Sequence, residues 1–455
     1  MSFAGRHPSS YRDPSGFLFY HNSRLYRQVN RSFQKDFEQF ISSGIYQHLI
    51  DKGLLIPHQQ VDQNFTGTAN WYTTLEPEVI PFISYPYEWC FAMLKDAALT
   101  TLEIAGEAIK FGMILKDASA YNVQWHNGRM KFIDTLSFEK WDEGKPWIAY
   151  RQFCEHFFAP LALMHFKKQP VSKWFLAYPE GIPVELASSL LPYKSKWHLH
   201  TYLHVHLHAR VSQKKQTKET AKTFSTSKLK NLLRSLEEAV RSFSLDVQSG
   251  VWSDYYDEAF QRENYLEPKK QIINDLLENL EIKSAMDVGA NEGEFSQLAA
   301  SKNVRTISVD FDHYSINRLY KKINEGSIHN ILPLVMDLSA PSPAIGLNNT
   351  ERTSFLDRVN VDLVMALAVI HHLCIGKNIP FDDLVKMFAN MGSYLLIEFV
   401  PRFDEKIEVM LQQKKDVYDW YTIDNFKSSF SKEYEILNFK TIGTTKRELF
   451  LMKRK

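Results

Sequence analysis

The sequence contains few cysteines and no long apolar run. Its three cysteines, Cys90, Cys154 and Cys374, lie far apart and share no metal-ligand spacing. We therefore expect no disulfide framework, and a reducing compartment fits best. No run of about 18 apolar residues occurs, so no membrane-spanning helix is expected. The N-terminal stretch MSFAGRHPSSYRDPSG lacks the apolar segment of a signal peptide, and we therefore predict a cytoplasmic protein.

An excess of either charge is also missing. The formal net charge is +1, so bulk electrostatics give no reason to expect nucleic acid or an anionic membrane as a partner. Apolar residues make up 44% and charged residues 24% of the chain, as in ordinary globular proteins. A chain of 455 residues is too long for one hydrophobic core and indicates two or three domains.

Two blocks differ in their secondary-structure pattern. Residues 1–246 begin with short strand-like pieces and become helical, which predicts an α+β domain; its polar, basic stretch 212–228 is predicted to be an exposed connection. In residues 247–455, entrance helices precede strands that alternate with helices. This alternation predicts an α/β domain with a parallel sheet wound on both faces.

The stretch MDVGANEGEF is the most informative in the chain. Asp287 ends an apolar strand, and Gly289 and Gly293 flank the turn before a helix. In open α/β sheets the first such turn binds nucleotides. The glycine spacing is not that of dinucleotide enzymes, and no P-loop lysine follows. Because Asp287 and Glu292 would repel a pyrophosphate, we expect a ligand with a cationic group and no phosphate.

Acidic residues also end the next two strands. RTISVDFD delivers Asp310, whose carboxylate can accept hydrogen bonds from both hydroxyls of a ribose. LPLVMDL delivers Asp337, placed for an adenine amino group, and a small-residue turn follows the fourth strand at Ala366. S-adenosylmethionine fits this set of side chains. The alternative interpretation is that they are ordinary helix caps and turn residues.

Together these motifs resemble those of class I S-adenosylmethionine-dependent methyltransferases, over roughly residues 269–455. The longer pattern, including GLNNTERTSFLDR and ALAVIHHL, is similar to nodulation-type methyltransferases of the NoeA kind. The resemblance implies a doubly wound, Rossmann-like sheet and S-adenosyl-L-methionine as the cofactor. The residues predicted to bind the cofactor are Asp287, Gly289, Ala290, Asn291, Gly293, Asp310, Phe311, Asp337, Leu338 and Ala366.

Three residues are candidates for the catalytic step. Methyl transfer is an in-line displacement, so it depends mainly on positioning, and a base is needed only for a hydroxyl or amine acceptor. His371 and His372 follow the fourth strand, where one of them is predicted to act as the general base; the alternative is a structural histidine. Glu398, at the end of SYLLIEFV, is a second candidate on the acceptor side.

The segment LKDASAYNVQWHNGRMKFID carries a different pattern. Asp117, Asn122 and Asp134 follow one another as do the catalytic and metal-binding residues of phosphotransferases, and QWHNGRMKF is predicted to be a hairpin. These residues resemble the protein kinase and aminoglycoside phosphotransferase superfamily over roughly residues 16–246. The resemblance implies a two-lobed fold, with ATP and magnesium as possible partners at these three residues.

Several departures from that superfamily favour a module that no longer transfers phosphate. Leu115 stands where the family usually has histidine, and no glycine-rich loop precedes the first strands. Arg27 stands where a phosphate-gripping lysine is expected, and Arg does not simply replace Lys there; we conjecture that Arg27 pairs with Glu38. An active phosphotransferase and a chance match to another fold are the alternatives.

The stretch WHLHTYLHVHLHAR allows two interpretations. His200, His204 and His208 would share one face of a helix, which is a possible zinc arrangement. No carboxylate or cysteine supports this arrangement, so no metal site is assigned. The aromatic and Leu residues between the histidines are interpreted as the packing face of the helix.

The sequence therefore predicts an S-adenosylmethionine-dependent methyltransferase whose kinase-like domain recognises the acceptor. The acceptor is expected to be a glycan, a small metabolite or a protein, and O-methylation of a saccharide hydroxyl or of a small metabolite is the leading hypothesis. A bifunctional kinase–methyltransferase and a non-catalytic cofactor-binding protein are the alternative hypotheses.

Overall fold

The computed structural model describes residues 5–212, 224–245, 265–412 and 414–455. The chain divides into two compact units: the first comprises residues 1–246 and 344–353, and the second comprises residues 247–343 and 354–455. Most of the predicted connection 212–228, and the predicted entrance helices before Tyr265, lie outside the described residues. In the described part of the chain, no helix combines the length and apolarity needed to cross a membrane.

The first unit begins with an antiparallel four-stranded sheet, in the order β1-β2-β4-β3. Two tight turns have a residue pair at positive φ: Asn22 and Ser23 join β1 to β2, and Asn127 and Gly128 join β6 to β7. The second turn confirms the predicted hairpin. The strands of this unit are β1 (Gly16–His21), β2 (Arg24–Asn30), β3 (His58–Val61), β4 (Trp71–Pro77), β5 (Met113–Leu115), β6 (Val123–His126), β7 (Arg129–Phe132) and β8 (Phe138–Lys140).

Helices dominate the rest of the first unit. The central helix α3 is long and mostly buried, because its Ala-rich sequence lets neighbouring elements approach closely. The α-helices are α1 (Gln34–Ser42), α2 (Ile45–Asp51), α3 (Phe91–Lys110), α4 (Tyr150–Phe153), α5 (Ala159–Lys167), α6 (Val184–Leu190), α7 (Leu199–Thr201), α8 (His208–Ser212) and α9 (Thr226–Ser242). A π-helical segment, Tyr202–Leu207, joins α7 to α8. This strand-then-helix arrangement confirms the predicted α+β class.

The second unit is built on a seven-stranded sheet in the order β11-β10-β9-β12-β13-β15-β14. The pairs from β11 to β13 are parallel, whereas β15 is antiparallel to both β13 and β14. The strands are β9 (Ser284–Val288), β10 (Arg305–Asp310), β11 (Ile331–Val335), β12 (Val361–Ala366), β13 (Gly392–Phe399), β14 (Tyr434–Thr441) and β15 (Glu448–Arg454). The strand order reverses between β9 and β12, so a ligand crevice is expected at the carboxyl ends of these strands.

Amphipathic helices alternate with these strands and supply apolar faces to the sheet. The helices are α10 (Leu266–Glu278), α11 (Glu294–Ser301), α12 (His313–Glu325), α13 (Phe355–Arg358), α14 (Phe381–Met391), α15 (Glu405–Gln412) and α16 (Ile423–Phe430). The parallel strands are buried on both sides: every residue of β11 is buried, for example. The predicted doubly wound α/β class is confirmed.

Candidate functional site

A cavity of about 240 Å³ opens at the carboxyl ends of β9, β10, β11 and β12. Of the thirteen predicted site residues, nine line it: Asp287, Gly289, Ala290, Asn291, Asp310, Phe311, Asp337, Leu338 and His372. Gly293, Ala366, His371 and Glu398 do not. The lining also includes residues that the sequence did not single out, among them Tyr265, Lys269, Val369 and Lys377.

The turn after β9 brings its backbone against the cavity. Gly289 has φ +70°, and a Cβ there would lie 2.5 Å from Cγ2 of Val369, so a side chain cannot be added without displacement. The backbone N–H groups of Gly289 and Ala290 donate to the carbonyl of Val309 at 2.9 and 3.0 Å, which ties the turn to β10. The glycine requirement at this turn follows from its geometry.

Asn291 is the polar residue at the tip of this turn. Its φ is +49°, a conformation that asparagine tolerates better than most residues. The residue is only 8% exposed and lines the cavity. Its side-chain oxygen is buried and has no hydrogen-bond partner. A buried acceptor without a donor is costly, so this atom fits a ligand that brings an N–H or O–H group.

A glycine is required at position 293 by packing and not by the cavity. It stands immediately before α11 with φ +77°, and a Cβ there would lie 2.5 Å from Cδ1 of Leu319. The glycine therefore allows close packing of the turn on α12. Its predicted contact with the cofactor is not supported by its position.

Asp287 lies at the cavity floor and is 2% exposed. The hydroxyl of Ser296 donates to its Oδ2 at 2.6 Å, and the hydroxyl of Ser308 donates in turn to Ser296 at 2.8 Å. Burial raises the pKa of Asp287 to about 7, although Ser296 and the positive charge of Lys269 favour the ionised form. A cationic group in the cavity would stabilise the charged carboxylate.

Asp310 ends β10 and is tied to two backbone amides. The N–H of Asn291 donates to its Oδ2 at 2.9 Å, and the N–H of Asp312 donates to its Oδ1 at 2.8 Å. Burial raises its pKa to about 6 in spite of these two donors. Each carboxylate oxygen accepts one of these bonds, the backbone N–H of Phe311 also favours the charged form, and the carboxylate keeps acceptor capacity for a ligand. The neighbouring Phe311 lines the cavity and is 53% exposed.

Asp337 is the third predicted acid at a strand end, and it follows β11. Its Oδ1 accepts hydrogen bonds from the backbone N–H and the hydroxyl of Ser339, at 2.9 and 2.6 Å. Lys377 places its Nζ 3.6 Å from Oδ2 of the same carboxylate. The next residue, Leu338, is buried and contributes an apolar wall.

A buried ion-pair network adjoins the cavity. Lys269, which is 3% exposed, places its Nζ 2.6 Å from Oε2 of Glu398, which is fully buried. The hydroxyl of Tyr265 donates to Oε1 of Glu398 at 2.6 Å, and Arg447 lies 3.7 Å from the same oxygen. Glu398 is thus occupied by these partners and does not reach the cavity wall. Lys269 and Tyr265 do reach the wall, and no motif marked them.

The histidine pair lies beside the end of β12. His372 lines the cavity, whereas His371 is 2% exposed and is packed behind it, with the two ring centroids 4.1 Å apart. Burial lowers the pKa of His372 to about 4 and that of His371 well below its usual range. Both rings are therefore neutral at physiological pH. Ala366 is fully buried inside the strand and supports the turn rather than lining the cavity.

The structure brings the phosphotransferase-like residues Asp117, Asn122 and Asp134 of the first unit close together. Asp117 accepts hydrogen bonds from the backbone N–H of Ser119 at 3.0 Å and the amide of Gln152 at 2.8 Å. Burial and the nearby charge of Asp134 raise its pKa. Asn122 donates to Ser137 at 3.4 Å, and a hydrogen bond from its side chain to Asp117 favours the ionised form of that carboxyl.

Arg27 determines the surroundings of Asp134. Its Nη1 lies 2.5 Å from Oδ1 of Asp134, and its Nη2 lies 3.3 Å from Asp13. Glu38 instead accepts from Gln34 and Tyr72, so the conjectured Arg27–Glu38 pair is wrong. Throughout the described ranges, no group of three or more His, Cys, Asp or Glu side chains is arranged to hold a metal ion.

The helix that carries His200, His204 and His208 buries the face opposite to the one predicted. His200 and His204 share a hydrogen bond with Ser235 of α9, at 2.9 Å each, and the ring of His208 stacks on Tyr150. The interpretation that the Leu residues form the packing face is wrong, because the buried face carries histidines and the leucines are exposed.

The sequence identifies the family. The chain is 30% identical to the nodulation protein NoeA of Rhizobium meliloti (strain 1021), over 99% of this chain and 96% of that protein. This chain belongs to the NoeA family. The resemblance stated from its motifs is thereby confirmed. No family model matches the sequence.

Comparison of the fold with solved structures finds partial similarity. The bifunctional kinase-methyltransferase WbdD matches with a TM-score of 0.31 and 12% identity, over 44% of this chain and 42% of that chain. The N-methyltransferase NodS from Bradyrhizobium japonicum WM9 matches with a TM-score of 0.30 and 12% identity, over 44% and 98%. Magnesium protoporphyrin IX methyltransferase from Synechocystis PCC 6803 matches with a TM-score of 0.32 and 13% identity, over 43% and 87%.

Proposed function

We propose that this chain is an S-adenosylmethionine-dependent methyltransferase. The observation that supports this proposal best is the convergence of Asp287, Asp310 and Asp337, from the ends of three successive strands, on one cavity. Ordinary caps and turn residues do not require three carboxylates to line one space. This arrangement supplies acceptors for an ammonium or sulfonium group, a ribose and an adenine amino group.

The charges of the cavity also favour this cofactor over a nucleotide phosphate. The two lysines of its lining each have a carboxylate partner: Lys269 pairs with Glu398, and Lys377 lies 3.6 Å from Asp337. Neither provides an uncompensated charge for a phosphate. The buried oxygen of Asn291 needs a donor, which the amino group of a methionine moiety would supply. The residues present therefore fit S-adenosylmethionine.

Bound S-adenosylmethionine supplies a methyl group on a positively charged sulfur, and the protein has to position an acceptor in line with it. The backbone of the Gly289 turn allows close approach, and the apolar wall at Leu338 excludes water. We propose that His372, which lines the cavity as a neutral ring, receives a proton from the acceptor. Because its pKa is about 4, this transfer is easiest from an acceptor that becomes acidic as the new bond forms.

The proposed acceptor is a hydroxyl of a saccharide or of another small metabolite. For the first unit, we propose acceptor recognition without phosphate transfer. The supporting observation is the 2.5 Å ion pair between Arg27 and Asp134, which occupies the carboxylate that would hold magnesium. Binding of ATP and magnesium that is lost in Asp134→Ala would contradict this proposal and favour the bifunctional alternative.

Isothermal titration of the purified chain with S-adenosylmethionine, S-adenosylhomocysteine and ATP–magnesium tests both proposals. We expect binding of the first two ligands and no binding of the third. Absence of binding of S-adenosylmethionine and S-adenosylhomocysteine would refute the methyltransferase proposal. Binding without methyl transfer to any compound in a panel of saccharides and small metabolites would favour a cofactor-binding protein.

A further inference from the structure

One helical segment of the first unit presents an apolar surface to solvent. Residues 199–212 run as one continuous helical segment, which follows the short 3₁₀ helix Tyr193–Trp197. Leu199, Leu203, Leu207 and Val211 recur every four residues and therefore lie along one face. We call the surface formed by Tyr193, Trp197, Leu199, Leu203, Leu207 and Val211 the apolar stripe.

The side chains of the apolar stripe are exposed to an unusual degree. Trp197 is 80%, Tyr193 70%, Leu199 64% and Val211 60% exposed, and Leu203 and Leu207 are close to 40%. Single exposed apolar residues need no explanation, but a contiguous row of this kind marks an interaction site.

The opposite face shows that this orientation is built into the sequence. His206 is 2% exposed and is hydrogen-bonded to Ser188 and Ser195, at 2.9 and 2.8 Å. His204 is 3% exposed and meets the hydroxyl of Tyr150 at 2.9 Å. Buried polar partners thus hold the histidines inward, and the leucines point outward. An ordinary amphipathic helix would place these residue types the other way round.

Basic residues flank the apolar stripe. Residues 186–212 contain no Asp or Glu but include Lys194, Lys196 and Arg210, all of which are exposed. Nζ of Lys196 lies 4.9 Å from the ring centroid of Tyr193, so this charge lies directly beside the apolar stripe. An acidic residue of another element, Glu238, lies 3.9 Å from Nε2 of His200. The excess of positive charge is therefore confined to the surroundings of Lys194, Lys196 and Arg210.

We propose that the apolar stripe and its basic residues bind the surface of an anionic lipid bilayer. Exposed Trp, Tyr and Leu side chains that are flanked by Lys and Arg fit the interfacial region, where apolar groups enter the acyl boundary and cations meet the headgroups. The surface lies in the plane of the membrane and does not span it. This inference does not depend on the proposed methyltransferase activity.

Charge decides between a bilayer and a second copy of the chain. Two copies that paired through the apolar stripe would bring Lys194, Lys196 and Arg210 of one protomer towards the same residues of the other. An anionic bilayer compensates these charges instead. Residues 186–212 themselves contain no Asp or Glu that would offset this repulsion.

Vesicle co-sedimentation of the full chain tests the proposal. We expect at least tenfold stronger partitioning onto phosphatidylglycerol/phosphatidylcholine vesicles than onto pure phosphatidylcholine, with a decrease at high salt. Lys194→Gln/Lys196→Gln should weaken binding to the anionic vesicles about 30-fold, as expected from ~1 kcal/mol per charge. Trp197→Ser/Leu199→Ser should weaken binding roughly 100-fold and, because both side chains are mostly exposed, should leave the fold intact.

Val79→Ser is the matched control, because Val79 is 60% exposed but lies outside the apolar stripe. Its binding should equal that of the natural chain. Absence of binding to anionic vesicles, or equal binding by all three variants, would overturn the proposal. Dimerisation in analytical ultracentrifugation that the Trp197→Ser/Leu199→Ser variant abolishes, without vesicle binding, would assign the surface to a second copy and also overturn it.

Discussion

The carboxylate of Asp310 allows the sharpest test of the cofactor site. Its two oxygens can accept about four hydrogen bonds. Two are used by the backbone N–H groups of Asn291 and Asp312, one on each oxygen. The backbone N–H of Phe311 also favours the charged form, and the acceptor capacity that remains is available to the ribose hydroxyls. The change Asp310→Asn keeps the shape but replaces one acceptor oxygen with an NH₂ donor.

The expected loss of binding free energy in Asp310→Asn follows from these contacts. A hydrogen bond to a charged group contributes about 1.5–3 kcal/mol, against about 1 kcal/mol for a neutral pair. In Asp310→Asn, one ribose hydroxyl would meet a neutral instead of a charged acceptor, and the other would lose its acceptor. Binding should therefore weaken by roughly 2–3 kcal/mol, or about 30- to 150-fold. Isothermal titration with S-adenosylhomocysteine measures this difference. A 2′-deoxy analogue should lose much less affinity in Asp310→Asn than the natural ligand does.

Asp312→Asn provides the control. Asp312 neighbours Asp310 but caps α12 through the N–H of Tyr314 and is not part of the cavity lining. This variant should bind S-adenosylhomocysteine as the natural chain does. Equal affinity of Asp310→Asn and the natural chain, or equal losses in both variants, would refute the ribose assignment.

The same carboxylate should make binding depend on pH. Burial raises the pKa of Asp310 to about 6, and only the charged form accepts from two hydroxyls. Affinity should therefore decline as pH falls through about 6, and this decline should be much smaller in Asp310→Asn. An unchanged pH profile in the variant would contradict the assignment.

Three further predictions concern the turn, the cavity floor and the ion pair. Gly289→Ala should weaken cofactor binding at least tenfold and lower thermal stability, whereas Gly106→Ala, where a Cβ meets nothing within 4 Å, should do neither. Burial raises the pKa of Asp287 to about 7, so the folded state binds a proton more tightly than the unfolded state does. The free energy of unfolding should therefore decrease as the pH rises from about 4 to 7. Asp287→Asn should remove this pH-dependent contribution, which is at most roughly 4 kcal/mol. Urea titrations at several pH values measure it, and an unchanged pH dependence of the free energy of unfolding would contradict the prediction. Glu398→Gln should cost about 3–5 kcal/mol by leaving Lys269 without its counter-charge, and adding Lys269→Met should restore much of the loss; strictly additive effects would argue against the pair.

Sequence patterns predicted the second unit well because its strands and turns are encoded locally. Apolar runs that end in an acid or a glycine mark strands whose two faces are covered, and the alternation with helices leaves few possible topologies. The strand that ends in Asp310 and the turn at Gly289 lie where these patterns place them. In the first unit the Asn127–Gly128 hairpin was predicted for the same reason.

The wrong predictions concern residues whose contacts are made with partners distant in the sequence. The Leu residues of 199–212 have the spacing of a packing face, yet Ser235 and Tyr150 hold the histidines of the opposite face inward. Likewise, Arg27 was expected to pair with Glu38 of the next helix, but its partners are Asp13 and Asp134, the second of which comes more than a hundred residues later in the chain. Hydrophobic periodicity gives the face of a helix but not which face is covered.

The four acids at strand ends show why their chemistry does not follow from position alone. Asp287, Asp310 and Asp337 face the cavity and keep acceptor capacity for a ligand. Glu398 also ends a strand, but Lys269 and the hydroxyl of Tyr265 reach it from the start of α10, more than a hundred residues earlier in the chain. Its role is therefore to hold Lys269 and Tyr265 at the wall, where they and not Glu398 meet whatever the cavity binds.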